Sequence, residues 1–368
     1  MRGLLLCLLM LGGITVGSAT AAEWTPVVSP RLQIFPALIL VTANMPQRRN
    51  PAKVIGDSNG LIGVRVLAGS DNEKVLVTIE LQGWLRPTTF EATLPEKGVR
   101  YTVYPTLSWQ FEKLRGALRP TPETLLFRVQ IGQQAEQSES VRVRLRSIND
   151  VPYFIASKRA ASDLSWMFAG FVDEDHPRVA MILKQALAGG VVRRFDGYQQ
   201  GKPQAVLMQV FAIWNLLQQH GIRYSSITRT GNAESEVYAQ HVRSLDQSWL
   251  NNQANCVDGS VLLASVLQKI DLNPALVLMP GHMLLAFELA PGGPRAYLET
   301  TLLDSVSPGP DGRLDRAASF ASFVRANERG YARYQQGSGR FGDPHSPEYQ
   351  IIDIGAARAL GVVPIGGP

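Results

Sequence analysis

Cys256 lies in the run Asn255-Cys256-Val257-Asp258-Gly259, and His282 and Glu299 follow it along the chain. A thiol nucleophile needs a base to take its proton and a third group to orient that base, and these three residues are of the right types. Val261, Leu262, Val266, Leu267 and Ile270 recur at helical spacing, so Cys256 opens a helix. Asn255 is suited to cap that helix, and Asp258, three residues on, can bond back to the cap's N–H. The thiol therefore sits in a first turn, where unpaired N–H groups and the helix dipole favour the thiolate. The backbone N–H of Cys256 is free to help hold an oxyanion.

The helix is expected to end near Asp271. Ala275–Met279 then reads as a buried strand, Pro280-Gly281 breaks it, and His282 begins a second apolar run to Phe287. After the loop Pro291–Pro294, residues 296–300 form a third strand that carries Glu299. Two neighbouring strands can set His282 and Glu299 side by side. Asp304 is a second candidate for the carboxylate; Glu299 is preferred because it lies within the strand. For a further oxyanion donor the candidates are Gln240, Arg243, Trp249 and Gln253. The remaining histidines, His176, His220, His241 and His345, suit caps, helix ends and loops. A zinc site built from Cys256, His282 and a carboxylate is the metal alternative. The chain lacks the short paired spacings such sites favour, so neither metal nor cofactor is expected.

The run Asn-Cys-Val-Asp-Gly-Ser-Val-Leu-Leu-Ala-Ser-Val-Leu from Asn255, then Pro-Gly-His-Met-Leu-Leu-Ala-Phe from Pro280, then Leu-Glu-Thr-Thr from Leu298, resembles the core of the transglutaminase-like (papain-like) cysteine hydrolases over residues 200–305. The resemblance implies Cys256 as nucleophile, His282 as base and Glu299 as orienting carboxylate, within an α+β fold. Two positions depart from the pattern. The family's acid is usually aspartate, and Met283 stands where an aromatic residue usually follows the histidine.

The elements around this core fall into two textures. From 28 to 148, apolar residues alternate with polar ones, as at Val75, Val77, Ile79 and at Phe127, Val129, Ile131. With turn signals between the runs, this region is expected to be an antiparallel β-sandwich, immunoglobulin-like. From 150 to 368 the chain reads as the transglutaminase-like domain with a C-terminal extension. Helices are expected over Leu164–Phe171, over Pro177–Leu187 with Asp175 as a candidate cap, over Ala205–Gln219, and over Leu314–Arg329. Residues 225–232 read as a polar turn, and 361–368 as a frayed end.

Composition bounds the cellular setting. Hydrophobic residues are 45% and charged residues 18% of the 368, which is globular composition. Arg2, the apolar run Leu4–Leu11 and Ala19-Thr20-Ala21 read as a signal peptide over residues 1–22. No later stretch is apolar enough to span a membrane. A periplasmic or secreted protein is expected, with a protein or peptide substrate such as a cell-envelope component. Once Cys7 leaves with the signal, Cys256 is alone and can form no internal disulfide. The net charge of +5 is mild, and the cluster Arg48, Arg49, Lys53 has no interleaved aromatics, so no nucleic-acid partner is expected. The competing reading is a non-catalytic envelope-binding protein on the same scaffold.

Overall fold

The computed structural model describes residues 23–156, 162–226, 236–343 and 345–366. The expected signal peptide, residues 1–22, and most of the expected polar turn at 225–232 lie outside the described residues. The chain is mixed α+β, with several separate sheets.

Two sheets are built from residues 24–145. One orders its strands Trp24–Val28, Ile62–Leu67, Arg100–Tyr104, Val54–Gly56. The other orders them Gln33–Ile34, Gln137–Leu145, Thr121–Ile131, Glu73–Leu81, Leu85–Leu94, Ser108–Trp109. The period-two pattern decides which face is buried. Val75, Val77, Ile79 and Leu81 turn inward and pair with Ile131, Val129, Phe127 and Leu125, which are buried too. Ile62, Val64 and Val66 do the same against Tyr101 and Val103. The buried faces of both sheets belong to one hydrophobic core. The region is not wholly antiparallel as expected. Gln33–Ile34 and Val54–Gly56 pair in parallel, and both are edge strands of two or three residues that a loop can lay down in either direction.

No strand of these sheets comes from beyond residue 145 among the described residues. The rest of the chain has its own sheets. Asp150–Ile155 is the centre of a three-stranded sheet, between Ser162–Asp163 and Val237–His241. A four-stranded antiparallel sheet runs in the order Arg295–Leu298, His282–Glu288, Pro274–Met279, Gln350–Asp353. Against it pack the helices Cys256–Lys269 and Arg316–Gly337. Helix Pro203–His220 begins on a proline in its first turn and stops at Gly221, whose φ of 86° suits glycine.

Three local expectations change. Ser165–Phe171 is a 3-10 helix. Helix Pro177–Ala188 is capped by His176 and not Asp175: His176 Nδ1 accepts the Arg178 N–H at 3.1 Å, while Asp175 reaches Lys269 Nζ at 2.7 Å. The tail is tied down through residue 365; residues 367–368 lie outside the described residues. Ile365 N–H donates to Gly170 O at 2.9 Å, and Arg358 donates to the carbonyls of Ala169, Val172 and Val362.

Candidate active site

The start of helix Cys256–Lys269 is held by a closed set of bonds. Asn255 Oδ1 accepts the N–H groups of Val257 at 2.8 Å and Asp258 at 2.9 Å, and Asp258 Oδ2 accepts the Asn255 N–H at 3.0 Å. Asp258 is fully buried, so its charge needs a partner; Arg243 supplies one through its guanidinium and its backbone N–H. Gly259 N–H bonds to Asn255 O. Of the helix's first N–H groups, that of Cys256 has no bond among the described residues, as expected of an opening helical donor. Gly259 faces Thr300, where a Cβ would meet the threonine Cβ at 3.1 Å. Thr300 Oγ1 and Ser260 Oγ both donate to Cys256 O, at 3.2 and 2.7 Å. The glycine thus lets helix Cys256–Lys269 lie against the segment that follows Glu299.

His282 enters its strand through the two-residue turn Pro280-Gly281. Gly281 has φ 68°, the left-handed value that a type II turn demands of its third residue. Pairing ends at Leu285–Leu298, so Glu299 is not within the strand as expected but follows it as the cap of the 3-10 helix Thr300–Ser305; continuing the register would set it opposite Leu284, diagonal to His282. A diagonal pair is separated by more than a direct cross-strand pair, and long side chains bridge it. The extra methylene of glutamate fits that reach. His282 Nε2 lies 2.9 Å from Glu299 Oε2. Cys256 is near enough to the ring to raise its proton affinity, and with Nε2 on Glu299 the nitrogen left for the thiol is Nδ1.

Glu299 is almost fully buried, and all of its oxygens are engaged. Oε1 accepts Thr301 Oγ1 at 2.7 Å and Thr301 N–H at 3.3 Å. Oε2 faces His282, and Arg333 Nε lies 3.0 Å away from it as an ion pair. Burial alone would push the carboxyl up. The bonds and charge from His282, then Thr301 and Arg333, outweigh it and hold the carboxyl below its ordinary range. Burial of the His282 ring likewise works against its charge. Hydrogen bonds to Cys256 and Glu299 and their negative charge outweigh burial and raise the imidazole from 6.5 to about 9.

Cys256 and His282 open into a cleft of about 790 Å³. Aromatic side chains line it: Tyr153 and Phe154 each contact Tyr238, tilted and edge-on, and Tyr224 also lines it, within reach of the Cys256 charge. None of these four is legible as a site residue in the sequence. Tyr224 comes to the site because Arg223–Tyr224 pairs in parallel with Gln253–Ala254, immediately before the cap.

Other sequence candidates lie elsewhere. Asp304 is exposed on the 3-10 helix Thr300–Ser305 and makes no bond to His282. Trp249 is buried and stacks on His220 at 3.6 Å. Arg243 is occupied by Asp258, and Gln253 does not line the cleft. Gln240 does line it, with Nε2 donating to His241 O at 2.9 Å. His241 bonds the buried Asp150, and His345 is exposed in a loop. Arg48, Arg49 and Lys53 are exposed, as a solvated cluster would be. Among the described residues no group of three or more His, Cys, Asp and Glu is placed to hold a metal ion, and no helix is long and apolar enough to cross a membrane. Arg333 is not legible as a site residue, since its helix is remote from the Cys–His–Glu run and a guanidinium is ordinary on a helix surface. The chain matches no protein-family model, no curated protein and no solved structure in comparisons with each.

Proposed function

We propose that this chain is an exported, periplasmic or secreted cysteine enzyme of the transglutaminase-like type, which acts on a carboxamide or peptide bond through a thioester. The observation that carries the reading is Cys256 and His282 lining one cleft, with His282 Nε2 2.9 Å from the buried Glu299. In the same reading the two N-terminal sheets form an immunoglobulin-like sandwich and residues 150–366 a transglutaminase-like domain. The order helix-borne cysteine, strand-borne histidine, acid at the end of the next strand supports that assignment.

With the imidazole raised to about 9, His282 carries a proton at neutral pH and the thiol can supply it. The Cys256 sulfur attacks the substrate carbonyl carbon. The carbonyl oxygen takes the negative charge and receives the Cys256 N–H. The carbon–nitrogen bond breaks as His282 gives its proton to the departing amine, leaving a thioester and a neutral imidazole. Water then attacks the thioester. His282 takes the water's proton, the acid leaves, and the thiolate–imidazolium pair is restored. Glu299 holds the ring in place throughout and stabilises its charged form. Hydrolysis is favoured over transfer to an amine because it needs no second substrate site.

The test is Cys256→Ala with a panel of peptides and protein amides as substrates. Loss of turnover in a folded variant is expected; full turnover in that variant overturns the reading. A wild-type thiol that alkylates only after unfolding favours the non-catalytic binding protein instead.

A further inference from the structure

The long helix Arg316–Gly337 lies outside the stretch that carries the Cys–His–Glu run, yet one of its faces is docked on the acid. Ala326, Gly330, Arg333 and Tyr334 fall at helical spacing on that face. Glu299 N–H donates to Ala326 O at 3.0 Å. Gly330 sits so close to the strand that a Cβ there would run into Tyr297 O, so glycine permits the approach. Tyr334 stacks on Tyr297 with ring centroids 4.0 Å apart and planes within 15°. These contacts deliver Arg333 Nε to Glu299 Oε2 at 3.0 Å, the same oxygen that faces His282.

Resting on the proposed cysteine chemistry, we infer that Arg333 is a positioning residue and that its helix is a working part of the catalytic apparatus. Glu299 must reach diagonally across two strands, and a flexible glutamate has more conformers than the shorter aspartate. Thr301 bonds Oε1 and the Arg333 charge lies beside Oε2, so both ends of the carboxylate favour the orientation that meets the ring. The contact is an ion pair, so Arg333 acts by its charge, drawing Oε2 to one side of the buried site. Arg333 touches neither the thiol nor the substrate carbonyl in this account; it acts through Glu299.

The probe is p-nitrophenyl acetate, which acylates a reactive thiol and releases a coloured phenolate. The full chain is compared with Arg333→Gln, Arg333→Lys, Glu299→Gln and the double variant Arg333→Gln/Glu299→Gln, with circular dichroism as the check on folding. Arg333→Gln is expected to slow acylation roughly 10- to 100-fold, since misplacing a catalytic group costs about that much. Arg333→Lys is expected to recover part of the rate. In the Glu299→Gln background, Arg333→Gln is expected to change the rate by less than about twofold, because the path it acts through is already cut. Wild-type acylation by Arg333→Gln overturns the inference. So does an equal slowing in both backgrounds, which is what a merely structural role produces. A wild-type chain that is not acylated at Cys256 removes the cysteine chemistry itself, and the inference with it.

Discussion

Replacing Cys256 by alanine removes one of the two partners that keep the His282 imidazole charged. The rise from 6.5 to about 9 corresponds to roughly 3 kcal/mol of preference for the protonated ring over its unfolded state. Burial opposes that preference, so the hydrogen bonds and charge from Cys256 and Glu299 supply more than the whole of it. Without the sulfur, the opposing burial stays and only Glu299 remains. The proton affinity of His282 is therefore expected to fall tenfold or more in Cys256→Ala. The assay is an NMR titration of the His282 ring carbon signals in the wild type and the variant. The wild-type ring should titrate near 9 and the variant's at a clearly lower pH. The sign for stability follows from linkage. A group raised on folding stabilises the fold fully below its unfolded value of 6.5, and that contribution is lost as pH rises through about 9. Wild-type unfolding should thus become easier between pH 6.5 and 9.5, by up to about 3 kcal/mol, and Cys256→Ala should show less of this slope. A wild-type ring that titrates near 6.5, or a variant ring unchanged from the wild type, refutes the coupled pair.

Glu299→Gln keeps the size of the acid and removes its charge, and it should slow ester acylation by about 10² to 10⁴-fold, while Asp304→Asn, at an exposed position, should stay within about twofold of wild type. Arg243→Gln leaves the buried Asp258 carboxylate without its cation and should destabilise the fold by about 3 kcal/mol, measured by chemical unfolding. Gly259→Ala puts a methyl group against Thr300 and should destabilise by roughly 1–3 kcal/mol and also slow acylation, because the helix that carries the thiol must move.

The parts of this site that are legible in the sequence are those encoded locally. Asn255 and Asp258 are three residues apart and close a cap whatever surrounds them, so the placing of Cys256 at a helix start is readable from five residues. Pro280-Gly281 encodes the turn before His282 in the same way. What is not legible depends on distant pairing. Arg333 meets Glu299 across 34 positions because a glycine, a tyrosine stack and a backbone bond dock one helix on one strand. The aromatic cleft wall comes from strands at 150–155 and 237–241 whose register no local pattern specifies. The same holds for misplaced expectations. Trp249 is a plausible donor by residue type, but its ring is engaged with His220. Asp175 is a plausible cap, but Lys269 holds it away and the His176 ring takes its place. The tail reads as frayed because its sequence is glycine- and proline-rich, whereas its backbone is bonded to Gly170, far earlier in the chain.

The rate of Cys256 carboxymethylation by iodoacetamide at pH 6, in the folded chain and in the same chain unfolded in urea, tests the central pairing of thiol and imidazole most directly. If His282 holds the proton, the folded sulfur is the better nucleophile and reacts several-fold faster than the unfolded one, an advantage that disappears in His282→Ala. A folded chain that reacts more slowly than the unfolded chain, or equally fast with and without His282, contradicts it.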